Sequence, residues 1–147
     1  MPPPAHPPVG LQLARTQKAV SRAFAAAIAA AGGSLPTWLV LLALKTRKPA
    51  TQRELADAVD IREATLTHHL NAMEADGLIT RERDPGNRRV QRVELTRSGQ
   101  ARFLQLRDAA RDFDVQLRRG LSDADGARLA RLLDRLRENV AEVPAST

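Results

Sequence analysis

The segment from Leu78 to Gly99 reads Leu-Ile-Thr-Arg-Glu-Arg-Asp-Pro-Gly-Asn-Arg-Arg-Val-Gln-Arg-Val-Glu-Leu-Thr-Arg-Ser-Gly. Two short β-prone runs flank the turn sequence Asp84-Pro85-Gly86-Asn87, a pattern that predicts a hairpin. Between Arg81 and Arg97 lie six arginines against Glu82, Asp84 and Glu94, a local balance of +3. Like charges on neighbouring strands repel, so this crowding does not stabilise an exposed hairpin. It points to an anion outside the protein.

The rest of the chain narrows the choice of anion. With 147 residues it is about one domain long, enough for a hydrophobic core. It has no cysteine, which excludes disulfides, thiolate metal sites and thiol redox chemistry. The formal charge is +6, and Lys18, Lys45 and Lys48 are the only lysines. Arginine's planar fork suits phosphate and guanine edges. Met1 to Pro8 is Pro-rich and lacks the basic-then-apolar order of a signal peptide. The most apolar run, Trp38 to Leu44, is far shorter than the ~20 residues of a membrane span. These features predict a soluble cytoplasmic protein with no membrane partner.

Helix signals divide the chain. Leu11 to Ala31 lacks Pro and Gly and places Leu13, Val20, Phe24 and Ile28 at helical spacing, ending at Gly32-Gly33. Ser34 and Pro36 open an apolar helix to about Thr46. Thr51 and Glu54 form a capping box for a short third helix with Leu55, Ala56 and Val59 inward. A tight Asp60-Ile61 connection leads to a fourth helix, roughly Arg62 to Asp76, closed by Gly77. After the hairpin Thr96 caps a helix carrying Phe103, Leu106, Ala110, Phe113 and Leu117 as a heptad-like stripe. Ser122 caps the last, whose apolar face is Leu129, Leu132, Leu133, Leu136, Val140 and Val143. The expected class is mainly α with one β-hairpin.

A short capped helix, a tight turn, a second helix and a basic hairpin is the order of a winged helix-turn-helix. Leu66, Leu70 and Met73 share one face of the fourth helix and should pack inward. The opposite face is Ala64, Thr67, His68, Asn71 and Ala75, with Thr65 to one side. It is short, polar and nearly uncharged, which suits close approach to base edges. An ordinary solvated helix face usually carries Lys and Glu instead. Arg81, Arg83 and Arg92 on the strands and the amides near Thr51 and Gln52 are expected to hold phosphates, and Arg62 is a further expected DNA contact. Arg88 and Arg89 at the tip are expected in the minor groove.

The run Asn87-Arg88-Arg89, followed by Leu95-Thr96-Arg97-Ser98-Gly99 and preceded by Gly77-Leu78-Ile79, resembles the signature of MarR-type transcriptional regulators. That signature has Asp-x-Arg in the wing and Leu-Thr-x-x-Gly opening the next helix. The resemblance covers Leu11 to Val143 and departs at Asn87, where the family has an Asp that braces the wing arginine, here Arg89. It departs again at His68, often basic in the family. The resemblance implies a homodimer held by the first, fifth and sixth helices. It also implies a double-stranded palindromic operator, read by recognition helices ~34 Å apart. Repression is the default mode. The implied domain plan is a Pro-rich tail at 1–9, a dimerisation helix at 10–33 and a DNA-binding lobe at 34–98. Dimerisation helices follow at 99–143, with a tail at 144–147. Family effectors are small anionic or phenolic molecules bound between lobe and dimer helices. Arg15, Trp38, His69 and Phe103 are the candidates here for an aromatic or anionic effector.

Other readings are weaker. No Gly-rich phosphate loop or Gly-x-Ser-x-Gly elbow is present, so an enzyme is not expected. No cofactor or metal is expected either: the adjacent His68 and His69 point about 100° apart on a helix and do not share a ligand readily. A winged-helix adaptor, or a non-specific chromosomal protein, is the alternative. An adaptor more often exposes apolar anchors on the fourth helix.

Overall fold

A computed structural model describes residues 5–48 and 51–141. Six helices and a two-stranded antiparallel hairpin follow in the expected order. They are α1 (Val9–Ala30), α2 (Leu35–Thr46), α3 (Gln52–Val59), α4 (Glu63–Ala75), β1 (Ile79–Asp84), β2 (Asn87–Leu95), α5 (Arg97–Leu117) and α6 (Asp123–Ala141). The first helix starts at Val9, inside the stretch read as tail. Residues 1–4 and 142–147, which hold the start of that tail, Val143 and the C-terminal tail, lie outside the described residues.

Local chemistry sets the helix ends. Ser34 Oγ accepts from the Thr37 N–H, and Thr51 Oγ1 accepts from the Glu54 N–H at 3.1 Å. Each satisfies a donor that a helix start leaves without an intrahelical partner. Asp60, at φ 55°, makes the sharp turn between α3 and α4, a left-handed conformation that Asp tolerates better than most residues. Gly77, at φ 74°, ends α4 and lets the Leu78 N–H reach back to the Met73 carbonyl.

By packing, the described chain divides into two units, the first ending at Arg111 and the second beginning at Asp112. The first holds the core. Leu66, Leu70 and Met73 of α4 are buried, as their spacing predicts, with Leu55 and Ala56 of α3 and Val40, Leu41 and Leu44 of α2. Ile28 of α1, Ile79 and Val93 of the hairpin, and Phe103 and Leu106 of α5 complete it. The lobe therefore draws its core from beyond 34–98. Side chains of α5 also cap the end of α1: Arg102 donates to the Gly32 carbonyl and Gln105 to that of Ala31.

One junction ties the recognition region to the wing and α5. Thr96 Oγ1 donates to the Gly77 carbonyl and accepts from the Gly99 N–H, while the Thr96 N–H donates to the Leu78 carbonyl. Gly99 is buried so closely that a β-carbon there would lie 2.0 Å from the Leu78 oxygen. Leu95-Thr96-Arg97-Ser98-Gly99 is thus a packing device as well as a helix cap.

The second unit is built on α6. Ser122 Oγ accepts from the Asp125 N–H at 3.1 Å and Asp125 Oδ2 accepts from the Ser122 N–H at 3.0 Å, a reciprocal cap. No residue of α6 is buried. Leu129, Leu132 and Val140 are each about half or more exposed, at 48%, 53% and 69%. The stripe on α5 splits: Phe103 and Leu106 enter the core, whereas Leu117 is exposed.

Candidate nucleic-acid interface

The outer face of α4 is as bare as the sequence suggests, since Ala64, Thr65, His68, Asn71 and Ala75 are all exposed. Two of its polar groups are already engaged. The Thr67 hydroxyl donates to the Glu63 carbonyl at 2.9 Å and accepts from Gln52 Nε2 at 2.6 Å. This pins the start of α3 to α4 and leaves chiefly the threonine methyl for an outside partner, where a free hydroxyl is expected from sequence. Asn71 Oδ1 accepts from Arg81 Nη2 on β1. His68 stays exposed, its ring 5.9 Å from that of half-buried His69 in an edge-on arrangement. Among the described residues no group of three or more His, Asp or Glu is placed to hold a metal ion.

The wing pairs Ile79 with Leu95 through Arg83 with Gln91, after which the register shifts and Asp84 faces Asn87. Arg88 and Arg89 fall in that shift, on β2; their side chains lie outside the described residues. Of the strand arginines, Arg83 is exposed, whereas Arg81 is only 14% exposed and pairs with Glu74 at 3.2 Å. The hydrogen bond from Arg81 holds the Glu74 carboxyl below the usual range. Arg92 lies 3.2 Å from Asp84 but is 58% exposed. An ion pair so open to water contributes little.

Asp84 braces the tip. Its Oδ1 accepts from the Gly86 N–H at 2.8 Å and its Oδ2 pairs with Arg92. The Gly86 N–H, followed by Arg92, lowers its pKa. The charge that Asn87 lacks is thus supplied three residues earlier. A depressed folded-state pKa means the bracing is present above the ordinary aspartate range and is lost as pH falls through the lower folded value. In an NMR titration the Gly86 amide should report a midpoint below that of a free aspartate, and D84N should abolish the titration. A midpoint at or above the ordinary value would remove Asp84 from the turn.

Beside the wing, Thr51, Gln52, Arg53, Glu63, Arg83, Val90 and Gln91 line an open notch of about 590 Å³. It joins the N–H groups at the start of α3 to Arg83, a setting that suits a phosphate. Arg53 lines this notch without having been expected from sequence; its place directly after Gln52 at the helix start is the signal that marks it. Arg62 is exposed just before α4.

The four effector candidates are scattered in role. Arg15 is exposed on α1 and His69 is half-buried on α4. Trp38 and Phe103 stack on each other, centroids 5.8 Å apart and planes 7° from parallel, and both are buried. Their packing role follows from α2 burying its apolar face; a ligand reaching them would have to enter the core. None of the four lines the notch.

A model of the MarR family matches residues 34–90. A protein of Thauera aromatica described as a transcriptional regulatory protein for the hcr operon is 31% identical over 139 residues, spanning 94% of this chain and 84% of that protein. The transcriptional repressor CouR, solved bound to a 23-mer DNA duplex, superposes with a TM-score of 0.79 at 26% identity, covering 88% of this chain and 92% of CouR. The fold is shared with Bordetella bronchiseptica BpsR, whose DNA binding is regulated by 6-hydroxynicotinic acid. That match has a TM-score of 0.78 at 22% identity and covers 98% of this chain and all of that one.

Proposed function

The chain belongs to the MarR family and is a DNA-binding regulator of transcription; from that premise we propose how it reads DNA. It acts as a homodimeric repressor on a palindromic operator. The start of α4 enters the major groove, and Thr65, Thr67, His68 and Asn71 face base edges. Thr51, Gln52, Arg62, Arg83 and Arg92 lie against phosphates, while Arg88 and Arg89 reach the minor groove. The observation that carries this reading is the uncharged, exposed face of α4 set beside an arginine-rich hairpin. Phosphate contacts position a protein and base contacts specify; this lobe offers both kinds of group.

Dimerisation is supported by the apolar residues left open at both ends of the chain. Val9, Leu11 and Leu13 on α1 are 59%, 44% and 43% exposed, and Leu129, Leu132 and Val140 on α6 are open to a similar degree or more. A second copy is the simplest cover for such surface. Release by a small aromatic or anionic molecule is the third part of the proposal, supported by the regulation described for BpsR. The domain plan follows, with 34–98 as the DNA-binding lobe and 10–33 and 99–143 as dimerisation helices.

A gel-shift competition tests the core of this reading. Duplex from the gene's own upstream region should compete at least 100-fold better than random duplex, consistent with the roughly 10³-fold or greater specificity of such proteins. Sedimentation at micromolar concentration should give a dimer. Equal competition by both duplexes would favour a non-specific chromosomal protein, and a monomer would end the palindrome.

A further inference from the structure

We propose that Arg81 is a positioning residue for base recognition, because it holds the Asn71 oxygen on the wing side and so turns the amino group outward to DNA. The inference deepens the proposed reading of α4 as the recognition helix and rests on it. Arginine has donors and no acceptor. The Asn71 carboxamide must therefore turn its oxygen toward Arg81. Covalent geometry then directs the amino group away from β1.

The clamp is well determined. Glu74, one turn further along α4, takes the same guanidinium through two contacts, Nη2 to Oε1 at 3.2 Å and Nε to Oε2 at 3.4 Å. The Arg81 side chain is mostly buried and Glu74 is 41% exposed. Arg81 therefore neutralises the one carboxylate beside Asn71 on this helix and fixes the amide from the wing side. The charge of Arg81 is spent inside the protein.

The consequence is a specificity. An asparagine that reads adenine uses its oxygen for the adenine amino group and its nitrogen for N7. With the oxygen committed to Arg81, Asn71 is matched to an edge made of acceptors. In the major groove guanine presents N7 and O6, whereas cytosine presents an amino donor. Asn71 should favour guanine at one position in each half-site.

The test is selection of duplexes from a randomised library by wild-type protein and by R81M, N71A, N71D, E74Q and H68A. Thermal unfolding of each variant establishes that it is folded. The wild type should prefer guanine at one symmetric position by about five- to tenfold, the lower range for a base contact. N71A and R81M should both lose that preference at the same position, and the double variant should lose no more than either. N71D, with acceptors only, should favour cytosine there. E74Q keeps the Asn71 contact and should keep the preference, which a merely structural role for the cluster would not allow to separate. If H68A alters base preference elsewhere while N71A and R81M leave every position unchanged, the inference fails and the recognition-helix reading stands. If no α4 substitution changes any preference, the reading of α4 fails with it. An R81M protein that is folded and still prefers guanine as wild type does would also overturn the inference.

Discussion

Gly99→Ala should destabilise the protein by about 3 kcal/mol or more, at the upper end of what overpacking costs. The added methyl would meet the Leu78 carbonyl oxygen at 2.0 Å and its carbon at 3.0 Å. Both are backbone atoms in a lock that also receives the Thr96 N–H, so neither can swing aside as a flexible side chain would. Relief requires α5 to move from the end of α4, opening the junction where Phe103 and Leu106 enter the core. Thermal denaturation followed by circular dichroism should show a Tm lower by about 10 °C for a chain of this size. Gly10→Ala is the matched control, since a β-carbon there meets nothing within 4 Å. Equal Tm values for the two variants would mean that the approach at Gly99 is not tight.

The double substitution Arg88→Ala with Arg89→Ala should have the largest effect on DNA binding. The pairing of Arg81 with Glu74 and of Arg92 with Asp84 occupies two of the wing arginines within the protein. The proposed contact with DNA therefore falls chiefly on Arg83, Arg88 and Arg89, with the exposed Arg92 shared between Asp84 and phosphate. Removing the two at the tip should weaken operator binding about 10- to 100-fold and reduce the slope of log K against log salt by about 2, roughly one per lost contact. Arg92→Ala should do less, because Arg92 already shares its charge with Asp84 inside the wing. If the tip contacts lie over a narrow A·T tract, the loss should be greatest on operators carrying one there. Unchanged affinity and slope in the double variant would take the wing tip out of the mechanism.

Much of the fold could be read directly from short stretches of sequence. Ser34, Thr51 and Thr96 cap helices where hydroxyl residues precede apolar spacing, and Gly77 closes α4. Leu66, Leu70 and Met73 face inward at i, i+4 and i+7. Asp84-Pro85-Gly86-Asn87 turns the hairpin. The family followed from the wing and the residues after it, which lie within a single stretch of the chain. The open apolar face of α6 was equally visible, since a helix buries only the stripe that meets a partner.

The candidate site was less legible, because the state of a side chain depends on residues far away in sequence. Six arginines near the hairpin look alike in a string of letters. Only packing separates Arg81, held against α4, from exposed Arg83. Thr67 looks like a free hydroxyl until Gln52, fifteen residues earlier, donates to its oxygen. That Trp38 and Phe103 stack face to face becomes visible only when α2 and α5 come together.

By itself the sequence determined the order of elements, their ends, the sign of the charge on the wing and the family. Caps, turns and helical periods act over about four residues, so local order encodes them. Tertiary structure decided which of the charged and polar groups remain available. Hydrogen bonds such as Arg102 to the Gly32 carbonyl, 70 residues apart, and Arg81 to Asn71 across two elements exist only once the core has brought those elements together.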